Sequence, residues 1–178
     1  AFIEKRVGDR IGLILFGDQA YVQAPLTFDR TTVNILLQEA FTGLAGQATA
    51  IGDAIGLAVK RLDSEKNETQ SDRQQKDEHT YADDRVLILL TDGVNNAGAL
   101  APLQAAELAA GAGLKIYTIG VGADRMRVPS LFGDRVVNPS ADLDEKTLRA
   151  IADTTGGTYF RATDREALTG VYEQLDAI

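Results

Sequence analysis

A chain of 178 residues that is 44% hydrophobic and 25% charged has enough apolar material for a sizeable core and is not composed like a disordered segment. A net charge of −8 repels phosphate backbones, and a 6% aromatic share without Trp offers no stacking platform, which argues against nucleic acid as a partner and leaves cations or basic protein surfaces. The absence of Cys excludes disulfides, thiolate metal sites and cysteine catalysis. No apolar run approaches the roughly 18 residues of a membrane span. The opening AFIEKRVGDR reads as the tail of a helix and a turn, so the chain is expected to be one domain whose beginning lies upstream.

In chain order, RIGLILF (10–16) is a strongly apolar strand and AYVQAPLTF (20–28) a weaker one. Only a short turn separates them, so they are expected to form an antiparallel hairpin, with Pro25 confining the second to a sheet edge. Asp29 is placed to cap a helix over 30–41, and the Gly- and Ala-rich 42–48 should be a loop. After Thr49, the spacing of Ile51, Ala54, Ile55, Ala58, Val59 and Leu62 predicts a helix, in which Gly52 and Gly56 suggest close packing against a sheet. Residues 63–84 carry eight acidic side chains against three basic ones and read as a fraying helix tail followed by a mobile acidic loop, with His79 solvated inside it.

The organising stretch is RVLILLTDGVNNAG (85–98). Its unbroken apolar run fits a strand covered on both faces, placing Asp92 at the carboxyl end of a central strand, where open α/β sheets put their ligand crevices. Gly93 and Asn95–Asn96 read as turn formers. Pro102 can open a helix reaching about Gly111, and LKIYTIGV (114–121) is a second buried strand. Residues 122–141 form a long connection. Asp142-x-x-Glu145 and Thr163-x-x-Glu166 are capping-box patterns for two helices flanking a short strand at 158–161. The strand–helix alternation from residue 85 onward indicates an α/β, doubly wound, mostly parallel sheet.

The segments GDRIGLILFGDQAYVQAPLTFDR (8–30), TAIGDAIGLAVKRL (49–62), LILLTDGVNNAG (87–98), LKIYTIGVGAD (114–124) and DLDEKTLRAIADTTGGTYFRATDREAL (142–168) resemble the von Willebrand factor type A domain family, most closely its bacterial membrane-associated aerotolerance-type branch. The resemblance implies a sheet in spatial order 3-2-1-4-5-6 with one antiparallel edge strand. The family's first, central strand and its Asp-x-Ser-x-Ser metal motif have no counterpart in this chain, so strands 10–16 and 85–91 are each expected to lack a neighbour. Self-association through those edges is one expected consequence.

The resemblance further implies a divalent cation, usually Mg²⁺, at the carboxyl-end rim of the sheet. Thr49 resembles the loop threonine that approaches the metal, and Asp92 resembles the acidic residue after the fourth strand. Each also has a bland reading, Thr49 as a helix cap and Asp92 as the organiser of its own turn. Asp53 reads as a solvated or dipole-facing carboxylate. The function implied is a metal-dependent protein-interaction module in a membrane-associated assembly, with a soluble domain on the periplasmic side. Its partner would present an acidic residue, with Arg125, Arg127 and Arg135 beside the rim. The alternative is a scaffolding domain with a degenerate site. No Gly-rich nucleotide cradle and no His- or Lys-centred acid–base pair supports an enzyme.

Overall fold

The computed structural model describes residues 2–40, 48–72, 85–122, 126–128, 135–137 and 143–176. In order these form α1 (Phe2–Lys5), β1 (Ile11–Phe16), β2 (Ala20–Thr27), α2 (Arg30–Glu39), α3 (Ile51–Asp72), β3 (Arg85–Thr91), α4 (Pro102–Gly111), β4 (Leu114–Val121), β5 (Met126–Val128), β6 (Arg135–Val137), α5 (Glu145–Thr155), β7 (Tyr159–Ala162) and α6 (Arg165–Leu175). Strands β3, β4 and β7 make a parallel sheet in that order. The other two pairs, β1–β2 and β5–β6, are antiparallel hairpins.

The apolar run of β4 is explained by layers on both faces, whereas β3, expected to be covered on both, is fully covered on one only: Val86 and Leu90 on its other face are exposed. On one face Ile51, Ile55 and Ala58 of α3, Ala105, Ala106 and Ala109 of α4, and Leu148 and Ile151 of α5 pack against Leu89, Leu114 and Ile116. On the other, Val171 and Leu175 of α6 cover Tyr117, Ile119 and Ala162. The alanines of α4 let that helix sit close to its neighbours. Two buried threonines bind α5 to β4: the Ile116 amide donates to Thr155 Oγ1 (3.0 Å), and Thr118 Oγ1 donates to the Leu148 carbonyl (2.9 Å).

The hairpin is built differently. Between the pairs Ile11–Thr27 and Leu13–Ala24, β2 uses one residue more than β1, and Pro25 lies in that bulge, where its missing donor does not interrupt the ladder. No residue of β1 is fully buried. Among the described residues β1 pairs only with β2, and β3 only with β4. The sheet expected from the family order is thus, among the described residues, two separate pieces, and on the face of β3 that it shares with Ile88, Val86 and Leu90 are exposed at 42% and 41%.

Several local readings need correction. The helix begun at Ile51 runs to Asp72, so the acidic stretch begins as helix, as the expected helix tail requires; residues 73–84, with His79 and the expected acidic loop, lie outside the described residues. Most of the predicted 42–48 loop also lies outside them. The 122–141 connection contains the β5–β6 hairpin, which sets Arg127 opposite Val136 and Arg135 opposite Val128; Arg125 is outside the described residues. The caps of the last two helices are Asp144 and Asp164, not Asp142 and Thr163. Asp144 accepts from the Thr147 amide (3.0 Å) and hydroxyl (2.6 Å), repeating the way Asp29 accepts from Thr32 at the start of α2. These bonds, the hydroxyl first, hold both carboxyls below their ordinary value.

At the amino-end pole of the sheet, α1 is fastened to the end of α6. Lys5 pairs with Asp176 (2.9 Å), Arg6 donates to the Leu175 carbonyl, and Phe2 stacks on Tyr172 (5.1 Å between centroids). This places both ends of the described chain opposite the carboxyl-end rim.

Candidate functional site at the carboxyl-end rim

Three connections meet where β1 and β3 end. The turn after β1 contributes Gly17 and Asp18, the lead into α3 contributes residues 48–53, and the connection from β3 to α4 contributes residues 92–101. The Ala50 amide donates to the Gly17 carbonyl (2.8 Å), and the Ala48 amide to Asp18 Oδ1 (2.7 Å). Because segment 48–50 also binds the connection after β3, it joins the two sheet pieces at this end. Of the 17–19, 46–49, 93–98 and 122–141 loops expected to gather at this rim, the first three meet through residues 17–18, 48–49 and 96, whereas residues 46–47 and most of 122–141 lie outside the described residues.

Thr49 is set against the turn that carries Asp92. A Cβ placed on Gly93, the residue after Asp92, would lie 3.0 Å from Thr49 Oγ1. Asp92 is exposed, and among the described residues its carboxylate has no hydrogen-bond or ion-pair partner. The turn after β3 is organised instead by Thr91, whose hydroxyl accepts from the Gly93 amide (3.3 Å).

Thr49 does not cap α3 either. The orphan amides of Ile51 and Gly52 donate to Asn95 Oδ1, at 2.8 and 3.5 Å, so a side chain from another connection caps this helix. Asn96 holds Thr49 by both of its backbone groups: Asn96 Oδ1 accepts from the Thr49 amide (2.7 Å), and the Asn96 amide donates to the Thr49 carbonyl (3.1 Å). Asn95 and Asn96, which sequence reasoning took for turn formers, are the fasteners of the rim. A paired Asn after an apolar strand and Asp-Gly was the visible signal, but its partners lie more than forty residues upstream.

Asp53 is also corrected. It is neither solvated nor merely facing the helix dipole, because its Oδ1 accepts from Ala99 (3.0 Å) and Leu100 (2.8 Å) and its Oδ2 from Ala99 (3.1 Å). Gly98, at φ +92°, brings the chain past this carboxylate in a conformation that side-chain-bearing residues rarely adopt. Gly52 serves close packing, but against the Leu100–Ala101 backbone and not the sheet, since a Cβ there would collide with the Leu100 carbonyl.

As donors for a cation, Asp92 and Thr49 offer one free carboxylate and one hydroxyl. Mg²⁺ favours oxygen ligands and retains several waters, so these two fit part of its shell. Among the described residues no group of three or more His, Cys, Asp or Glu side chains converges on a common point. Asp18 and Asp53 already accept backbone hydrogen bonds, so among the described residues of these three connections Asp92 is the carboxylate without a partner.

Comparison with known proteins agrees with this architecture. Residues 1–174 match the von Willebrand factor type A domain family. An uncharacterized protein of Borreliella burgdorferi is 29% identical over 173 residues, covering 92% of this chain, which spans only 45% of that relative's length. Among solved structures, an uncharacterized membrane-spanning protein from Vibrio fischeri is 48% identical, with a TM-score of 0.50 over 99% of this chain and 79% of that one. An aerotolerance-related membrane protein from Bacteroides fragilis shares the fold at 23% identity, with a TM-score of 0.69 over 99% and 83%. So does proximal thread matrix protein 1 from the mussel byssus with a zinc-occupied MIDAS motif, at 20% identity and a TM-score of 0.60 over 98% and 38%. Among the described residues no helix is long and apolar enough to cross a membrane. The chain belongs to the von Willebrand factor type A domain family.

Proposed function

We propose that this chain is a protein-interaction module whose contact surface is the carboxyl-end rim, working within a membrane-associated assembly. Asp92 and Thr49 are its contacts to a divalent cation of the Mg²⁺ type, and a carboxylate of the partner protein completes the ion's shell. When bound, the cation supplies an electrophilic centre that a partner's Asp or Glu can ligate directly. The chain's own residues set that centre in place and keep nearby backbone amides satisfied. No bond-making step is part of this reading, and nucleic acid is not a partner.

The observation that carries the proposal is an exposed carboxylate at Asp92, free among the described residues, in a turn whose next residue, Gly93, lies against the Thr49 hydroxyl, while Asp18 and Asp53 of the same rim are already engaged with backbone amides. The likeness to a fold relative with a zinc-occupied MIDAS motif supports the choice of a cation. Capture of partner protein by the immobilised chain should fall at least about tenfold in chelator relative to Mg²⁺, and by as much for Asp92→Ala in Mg²⁺. Equal capture in all three conditions would end the metal-mediated reading.

The small donor count favours a second reading, a scaffolding domain whose adhesion site does not hold metal. It predicts partner capture that is indifferent to chelator. Separately, the edge of β3 that is unpaired among the described residues, with Val86 and Leu90 exposed on one face of the strand, supports self-association of this chain through its strand edges. Sedimentation velocity across a hundredfold dilution should then show a concentration-dependent dimer, and a single monomeric species throughout would refute it.

A further inference from the structure

The β3–α4 connection at 92–101 has almost no core of its own. Asp92, Val94, Asn96, Gly98 and Ala99 are all exposed, and connections without buried apolar contacts ordinarily open easily. Here the connection is instead laced to the 49–53 turn from both directions. Asn95 and Asn96 reach down to the amides of Thr49, Ile51 and Gly52, while Asp53 reaches up to the amides of Ala99 and Leu100.

We infer that Asp53, Asn95 and Asn96 are positioning residues, a hydrogen-bonded latch that holds the Asp92–Gly93 turn against Thr49 before any cation or partner arrives. The inference deepens the proposed function and rests on that reading for its relevance to binding. Asn96 grips both backbone groups of Thr49, so displacement of the connection carries Thr49 with it. Asp53 acts at the opposite end of the same connection, through acceptor oxygens and not through charge. Both of its oxygens are engaged with backbone amides, and an amide oxygen at the same place could still take the Ala99 and Leu100 bonds. A preformed site of this kind avoids an ordering cost on binding.

The test uses the whole chain and two readouts. The first is amide hydrogen exchange without metal. Asp53→Ala should raise exchange about tenfold at Ala99 and Leu100 and also at Thr49, which Asp53 does not touch. Asp53→Asn should stay within about threefold of the unsubstituted chain. Asn96→Ala, at an exposed position that the core does not need, should raise exchange at Thr49 by a similar factor. The second readout is Mn²⁺ line broadening of the Thr49 and Gly93 amide resonances. In the unsubstituted chain and Asp53→Asn the two should broaden together, whereas Asp53→Ala should need about tenfold more Mn²⁺.

Unchanged Thr49 exchange in both alanine variants would overturn the latch. So would an Asp53→Asn variant that behaves like Asp53→Ala, because that would assign the role to charge. If the exchange pattern holds but Mn²⁺ broadens neither resonance in the unsubstituted chain, the latch stands and the cation reading of the rim fails.

Discussion

Strands β1 and β4 read almost alike, IGLILF against LKIYTIGV, yet the structure treats them oppositely. In β4 all residues but Lys115 and Val121 are buried, whereas in β1 none is. The difference lies in their neighbours. Strand β4 has a strand on each side, α5 on one face and α6 on the other. Strand β1 has β2 on one side and, among the described residues, no strand on the other. An apolar run states what a strand can tolerate, and its partners decide how much of that is realised.

Four substitutions test this contrast, in descending order of expected effect. Ile116→Ala removes a fully buried side chain from β4 and should lower unfolding free energy by about 3–4 kcal/mol in urea titration. Ile14→Ala in β1, which is only partly covered, should cost roughly 1–2 kcal/mol by the same measurement, and a loss equal to that of Ile116→Ala would show that β1 acquires a second neighbour in solution. Asp144→Ala, at the cap of α5 beside the sheet, should cost about 1 kcal/mol at neutral pH. Arg10→Ala, which breaks the exposed pair with Glu65 at the entry to β1, should change stability by less than about 0.5 kcal/mol.

The Asp144 deficit should also depend on pH in a defined direction. The folded carboxyl titrates below its ordinary value of 3.8, so its stabilisation is fully present above that value and is lost as pH falls through the folded value. Thermal unfolding of Asp144→Ala and the unsubstituted chain should therefore converge in strong acid. A gap that stays constant down to pH 2 would show that the cap works without its charge.

Much of the fold was legible because it rests on local patterns. The apolar runs, the Asp29 cap and Pro102 at a helix start require only neighbouring residues. The capping boxes misled because Asp142 and Asp144, like Thr163 and Asp164, are near-equivalent candidates, and tertiary placement chose between them. The candidate site was half legible. Asp92 at a strand end and Thr49 before a helix are pattern positions, but Asn95, Asn96 and Asp53 acquire their roles from partners 43 to 47 residues away. No periodicity encodes such pairings. Likewise Gly52 announced a close approach, but what approaches it is a carbonyl from the loop after β3, which local spacing cannot name.

The clasp between α1 and α6 has a mechanical consequence. Since Lys5, Arg6 and Phe2 meet Asp176, Leu175 and Tyr172 at one pole, a pull applied between the two ends would load these few contacts first, peeling them apart before any strand is sheared. The carboxyl-end rim, at the far side of the sheet, would keep its shape while the opposite pole is under tension.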